Sequence, residues 1–127
     1  MPHLVGSVLA GAALVVLPVT PAQAAPAETS LRLTVTYPGE EVSGTRGVEL
    51  ICNPARGAHP RADTACRDLD LSRGQVERDA GDAICTMIYA PVVAEAQGTW
   101  RGRTVQFKQE YGNDCQMHAH TGTIFRF

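Results

Sequence analysis

The chain has 127 residues, four of them cysteine, and its 11 Lys and Arg against 13 Asp and Glu give a formal net charge of −2. Acids and bases are interspersed, so there is neither a basic stripe for a phosphate backbone nor a polybasic anchor. Nucleic acid and anionic membrane are therefore not expected as partners.

Residues 1–24 hold no Asp, Glu, Lys or Arg, and their apolar run from Leu4 to Val19 ends in Pro18, Pro21 and the small-residue triplet Ala22-Gln23-Ala24. This is the pattern of a secretory signal peptide cut after Ala24. As a membrane anchor the run is too short, proline interrupts it, and no basic stop-transfer cluster follows. The expected product is a secreted, extracellular domain of residues 25–127, small enough to lean on cross-links. All four cysteines fall in that part, and in an exported chain an even count reads as two disulfides rather than thiol chemistry or zinc. Three pairings are open, and spacing does not choose among them. If neighbours pair, each closed loop restricts the unfolded chain by about 3 to 4 kcal/mol.

Residues 25–30, small, polar and proline-bearing, read as a mobile arm. Leu31, Leu33, Val35 and Tyr37 then alternate with Arg32, Thr34 and Thr36, the period of a half-buried strand. Pro38-Gly39 ends it, Glu40-Glu41 reads as solvated turn charge, and Gly44 precedes a second strand at residues 47–52. Residues 53–62 hold two prolines, a glycine and no periodic apolar face, which predicts a loop. Asp63 or Thr64 is placed to cap a short helix with Cys66 and Leu69 on one side, stopping near Arg73-Gly74. Residues 72–83 are polar and glycine-containing, a candidate mobile loop.

From Pro91, the alternation of Val92, Ala94 and Ala96, a turn at Arg101-Gly102, and Val105, Phe107 and Tyr111 predict a long hairpin. Asn113 is placed to cap a single helical turn through Cys115 and Met117. Thr123, Phe125 and Phe127 supply one face of a last strand. The charges from Arg101 to Arg103 read as solvated. The sum is an α+β domain, largely one antiparallel sheet with one or two short helices.

Between loop and hairpin lies Cys85-Thr86-Met87-Ile88-Tyr89-Ala90-Pro91, preceded by Ile84. A cysteine can fasten one end, β-branched Ile88 stiffens the middle, and Pro91 pushes Ala90 toward extended geometry. Two readings stand. Met87, Ile88 and Tyr89 can form a buried strand with methionine filling a core gap, or the run can be an exposed bait for a protease.

The arrangement of Cys52, His59-Pro60, Cys66, Cys85-x-Met87-x-Tyr89-x-Pro91, Trp100-x-Gly102 and Asn113-x-Cys115-x-Met117-x-Ala119-His120, ahead of Phe125 and Phe127, resembles the Streptomyces subtilisin inhibitor family. The likeness covers nearly all of residues 30–127. It implies a five-stranded antiparallel sheet with two short α-helices, disulfides Cys52 to Cys66 and Cys85 to Cys115, and a secreted homodimer. It further implies a reactive bond at Met87-Ile88 flanked by Ile84, Cys85, Thr86, Tyr89, Ala90 and Pro91, with Asn113 hydrogen-bonding the backbone beneath. Thr86 departs from the family's best-known member, which has proline there. The implied partners are secreted proteases of the subtilisin type; because methionine suits a roomy apolar pocket and lacks the cation that a trypsin-like pocket needs, weaker inhibition of chymotrypsin and little of trypsin are expected.

Other function classes fit less well. His118 and His120, two apart, could face a metal from an extended segment, but no third ligand stands beside them and His59 reads as a structural, hydrogen-bonded histidine. No cofactor or metal is expected. Paired cysteines leave no thiol nucleophile, and neither a Gly-x-Ser-x-Gly elbow nor a glycine-rich phosphate loop is present, so an enzyme is not expected. A sheet-type binding module would want an aromatic platform, and Trp100 is the only tryptophan.

Overall fold

The computed structural model describes residues 2, 3, 6, 11–23, 28–39 and 44–127. The alternation around Leu31, Leu33 and Val35 builds the central strand β1 (Thr29–Tyr37), which buries these three residues and turns Arg32, Thr34 and Thr36 to the other face. On one side β1 pairs antiparallel with β2 (Gly44–Cys52), itself edged by the two-residue β3 (Arg56–Gly57). On the other it pairs with β4 (Val92–Trp100), which turns back into β5 (Arg103–Tyr111). The sheet order is β3-β2-β1-β4-β5, antiparallel throughout.

Helix α1 (Ala62–Leu71) buries Ala65, Cys66 and Leu69, and helix α2 (Asp114–Thr121) buries Met117, against the inward residues of the strands in a single apolar core. The fully buried Leu31, Leu33, Leu50 and Leu69 each contribute on the order of 2–3 kcal/mol through burial. A disulfide ties Cys52 at the end of β2 to Cys66 in α1, and a second ties Cys85 to Cys115. The α+β architecture, five antiparallel strands, two short helices and two disulfides, is the one the sequence led us to expect.

The local expectations need several corrections. Thr29 and Ser30 belong to β1 rather than to a mobile arm, because the Thr29 hydroxyl accepts a hydrogen bond from the Arg101 amide at 2.9 Å and Ser30 pairs with Thr99; residues 25–27 lie outside the described residues. Strand β2 begins at Gly44, opposite Tyr37, not at residue 47. The predicted loop 53–62 contains β3, since a turn over residues 53–55 folds Arg56 and Gly57 back onto Ile51 and Leu50, and a two-residue strand has no period to detect.

Neither Asp63 nor Thr64 caps α1; the cap position is Arg61, whose side chain makes no capping bond, and Asp63 sits in the first turn, where its charge favours the helix dipole. Helix α2 runs for eight residues instead of one turn. No strand forms at residues 123–127. There Ile124 and Phe125, adjacent in sequence, are both buried, which a flat strand with one covered face would not allow. The fifth strand is β3 instead.

The β4–β5 turn matches its prediction, with Arg101 at φ 47° and Gly102 at φ 80°, the doubly positive pair of a tight hairpin. The charges around it are not simply solvated. The Arg101 and Arg103 guanidinium carbons lie 5.0 and 4.9 Å from the Trp100 ring centroid, and Arg101 also pairs with Asp70 at 3.2 Å. Trp100 is buried, its indole N–H donating to Asp70 at 3.3 Å, so it offers no aromatic platform. Beneath it Gly74, at φ 82°, leaves no space for a Cβ, which would stand 2.6 Å from the ring. Glu40 and Glu41 lie outside the described residues.

His59 is a structural histidine, 4% exposed. Its Nδ1 accepts the Arg61 amide at 2.9 Å, so Nε2 carries the proton and donates to the Ile124 carbonyl at 2.9 Å. The ring thereby turns the chain into α1 and fastens the C-terminal turn. Burial holds its pKa below the usual 6.5, and burial with the Arg126 charge does the same for His118. In both cases the unfolded chain binds the proton more readily. Their contribution to stability is therefore complete above pH 6.5 and is lost as pH falls from 6.5 toward the folded values. Melting temperature is expected to decline between pH 7 and 5, and NMR titration to place both imidazole midpoints below 6.5; midpoints at or above that value would contradict this account.

Candidate functional site

Residues 72–91 connect α1 to β4, and the first part of the segment is anchored rather than free. Val76 is buried, the Arg78 amide donates to the His120 carbonyl at 2.8 Å, and the His120 Nδ1–H donates to the Arg78 carbonyl at 3.0 Å. Tyr111 donates its hydroxyl to Glu77 at 3.1 Å, and burial beside that carboxylate raises the phenol pKa far above its usual range. Asp68 of α1 accepts both the amide and the hydroxyl of Thr123, at 2.8 and 2.7 Å, and faces Arg78 at 3.6 Å. The expected mobile loop at 72–83 is thus pinned at residues 76–78, which fixes the root of residues 84–91.

Beyond that root the chain leaves the surface. Ile84 is 95% exposed, Met87 90%, Ile88 67% and Tyr89 76%. The reading of Met87, Ile88 and Tyr89 as a buried strand is overturned. Four large apolar side chains offered to water on so small a domain form an exposed apolar patch, a feature that generally marks interaction sites.

The loop's backbone is nonetheless held from below at four points. Cys85 is bonded to Cys115, with Cα atoms 5.6 Å apart. The Asn113 side-chain amide donates to the Thr86 carbonyl at 3.0 Å and to the Ile88 carbonyl at 2.9 Å, the two carbonyls on either side of Met87. The Ala90 amide donates to the Gly112 carbonyl at 2.8 Å. Pro91, half-buried, then leads into β4. Residues 112, 113 and 115 at the β5–α2 junction therefore form the platform, and Met87 is the side chain they present.

Asn113 can act as the brace because the fold holds it still. It is 8% exposed and is the N-cap of α2, where its Oδ1 accepts the Gln116 amide at 3.0 Å. Oδ1 engaged with an N–H leaves the Nδ2 group, with two hydrogens, for the two loop carbonyls, so both donors and one of the two acceptor positions of the side chain are used. Gln116 in turn accepts the Gly112 amide through Oε1 at 3.2 Å. Asp114 accepts the Tyr37 hydroxyl at 2.9 Å, which fastens the start of α2 to the sheet. Gly112, Asp114 and Gln116 were not singled out from sequence. The Asn113-x-x-Gln116 spacing, close to a capping box, is the signal that could have found the last of them.

His118 and His120 lie on α2, not on an extended segment, and His120 stacks on Tyr111 with ring centroids 5.7 Å apart. Among the described residues no group of three or more His, Cys, Asp or Glu is placed to hold a metal ion.

The geometry defines a class: a disulfide-framed domain that displays an uncharged, apolar loop with its backbone tethered and its central side chain free. Comparison with known proteins agrees. The family described as subtilisin inhibitor-like matches residues 27–113. The subtilase-type protease inhibitor of Streptomyces fradiae is 41% identical over 108 residues, covering 80% of this chain and 75% of that protein. The subtilisin inhibitor of Streptomyces albogriseolus is 37% identical over 109 residues, covering 80% and 74%. In three dimensions the chain superposes, with a TM-score of 0.62 and 28% identity, on a chain of the crystal structure of Streptomyces caespitosus sermetstatin in complex with Bacillus licheniformis subtilisin, covering 79% of this chain and 99% of that one. The chain belongs to the subtilisin inhibitor-like family, a family of protease inhibitors and not of enzymes.

Proposed function

We propose that this protein is a secreted, substrate-like inhibitor of serine proteases, chiefly of the subtilisin type, acting through the reactive bond Met87-Ile88. The observation that carries the proposal is the tethering of the carbonyls on both sides of Met87 by one buried asparagine while the Met87 side chain stands 90% exposed. The names of the Streptomyces relatives, and the subtilisin in the structure of sermetstatin, support the target class.

A serine protease would seat Met87 in its primary specificity pocket and attack its carbonyl with its own serine, histidine serving as base. After acylation the amine of Ile88 would remain beside the acyl group. The Cys85–Cys115 bond holds the chain before Met87, and the bonds at Ile88 and Ala90 hold the chain after it. Religation at high effective molarity then competes with water. Affinity would arise from preorganisation, since a loop already in its bound shape avoids most of the ordering cost met by a free peptide.

Methionine suits a roomy apolar pocket and lacks the cation that an aspartate-floored pocket requires. Strong inhibition of subtilisin, weaker inhibition of chymotrypsin and little of trypsin are expected. Met87→Lys should shift inhibition toward trypsin, as measured by inhibition constants against the three enzymes; an unchanged order would show that Met87 does not enter the pocket. The primary test is titration of subtilisin with the protein, then sequencing of any new amino terminus after long incubation. Stoichiometric loss of activity with a terminus at Ile88 is expected. Undiminished protease activity, with or without cleavage there, would overturn the proposal.

We further propose that residues 1–24 are a signal peptide and 25–127 the exported domain. In support, described residues 11–23 are exposed and form no helix or strand, and Gly6 and Gly11 have no neighbouring atom within 4 Å of an added Cβ. Among the described residues no helix is long and apolar enough to cross a membrane. A homodimer is proposed on the family likeness, with sedimentation equilibrium as its test; a monomer at micromolar concentration would refute it.

A further inference from the structure

We infer that Met87 is an oxidant-sensitive modification site, and that conversion of its thioether to the sulfoxide turns inhibition down without disturbing the fold. The inference rests on the reading of Met87-Ile88 as the reactive bond. Of the chain's three methionines, Met1 falls outside the described residues, Met117 is 1% exposed in the core and Met87 is 90% exposed. Peroxide therefore reaches the Met87 sulfur about as readily as that of a free peptide and scarcely reaches Met117. All four cysteines are in disulfides, so the chain carries no thiolate to intercept the oxidant first.

The reaction is a two-electron oxygen transfer from hydrogen peroxide. A sulfur lone pair attacks one peroxide oxygen, the O–O bond breaks as the S–O bond forms, and the departing hydroxide takes the proton from the transferred oxygen to leave as water. Sulfur is oxidised and peroxide reduced; no other reactant is needed.

None of the bonds that shape the loop involves the Met87 side chain. The disulfide acts at Cys85, Asn113 grips the carbonyls of Thr86 and Ile88, and Gly112 receives the Ala90 amide. Oxidation thus leaves the presented backbone as it was and alters only the group offered to the protease. A flexible apolar chain becomes polar and branched at sulfur, with a strong acceptor oxygen. Buried in an apolar specificity pocket without a donor, that oxygen would weaken binding on the order of 10- to 100-fold. By linkage, a bound protease would shield Met87 from oxidation, so the modification acts on free inhibitor.

The test treats the intact secreted protein with hydrogen peroxide at neutral pH, removes the peroxide with catalase before any protease is added, and locates added oxygen by peptide mass spectrometry. The expected result is sulfoxide at Met87, an unmodified Met117, an unchanged melting temperature and an inhibition constant for subtilisin raised about 10- to 100-fold. Met87→Leu, which keeps an apolar side chain of similar volume but has no sulfur, should inhibit equally before and after treatment. Sulfoxide at Met87 with an unchanged inhibition constant, or loss of inhibition by treated Met87→Leu, would overturn the inference while leaving the proposed function standing. Failure of the untreated protein to inhibit would overturn the functional reading itself and this inference with it.

Discussion

Asn113→Asp is expected to weaken inhibition of subtilisin by roughly 30- to 100-fold and to hasten cleavage at Met87-Ile88, with a loss of stability of about 1 to 3 kcal/mol that leaves the protein folded. The substitution separates the two tasks of one side chain. As a helix cap, aspartate serves as well as asparagine, because an oxygen still accepts the Gln116 amide and the negative charge suits the start of α2. As a brace it fails. A carboxylate has no hydrogens for the carbonyls of Thr86 and Ile88, which Asn113 now meets at 3.0 and 2.9 Å, and it would repel them.

Both carbonyls belong to exposed residues and can turn to water, so the loss of stability is chiefly that of a carboxylate held at a position only 8% exposed with one N–H to accept. Two hydrogen bonds at about 1 kcal/mol each, together with the ordering that a loosened loop must then undergo on binding, give the predicted loss. The checks are thermal unfolding, the inhibition constant, and the rate at which a new terminus appears at Ile88. Unchanged inhibition in a folded Asn113→Asp protein would mean that the disulfide and the Ala90–Gly112 bond suffice to hold the loop.

Replacing both Cys85 and Cys115 by serine is expected to have the largest effect on the molecule as a whole. The bond closes a loop with a sequence separation of 30 residues, and releasing it should reduce stability by about 3.5 to 4 kcal/mol in the chain-entropy treatment. For a domain near 100 residues that is a fall in melting temperature of roughly 15 °C or more. Measured well below the new melting temperature, the folded fraction should behave as a substrate, cut between Met87 and Ile88 and then released, because a single hydrogen bond, from Asn113 to the Thr86 carbonyl, is left to tie the acyl-side chain to the platform.

The comparison that makes this decisive is Cys52→Ser with Cys66→Ser. That bond, with a separation of 14, joins β2 to α1 away from the displayed loop, and its loss should reduce stability by about 3 kcal/mol. Inhibition at low temperature should survive. Equal loss of inhibition in the two variants would show that global softening, not the local tether, governs the outcome.

The two variants also expose how little of the site is contributed by the loop's own sequence. Residues 84–91 contain no charged group and no internal side-chain hydrogen bond among the described residues. Their stiffness is borrowed from Gly112, Asn113 and Cys115, more than 20 positions further along the chain, which the β4–β5 hairpin returns to the same end of the sheet. The network of Tyr37, Asp114 and Gln116 in turn stops α2 from shifting beneath them.

Where side-chain periodicity was long, the sequence alone determined the structure. The alternations in β1 and in the β4–β5 hairpin place one face against a core, and that requirement sets both pairing and register. The even cysteine count implied two bridges, and the run from Cys85 to Pro91 marked an extended segment. Local pattern could not go further at three places. The two residues of β3 are shorter than any period, the helix start at Arg61 depends on a ring nitrogen of His59 tied to Ile124, and the C-terminal turn buries neighbours that a strand would have sent apart. Nor could composition decide whether Met87, Ile88 and Tyr89 face inward or outward, since an apolar side chain gains from burial only if the fold leaves a vacancy for it. Here the core is filled by residues of both helices, the strands and the C-terminal turn, and the tether from Asn113 holds Met87 outside it. That is a property of the tertiary structure, because the atoms that impose it meet only when the sheet has closed.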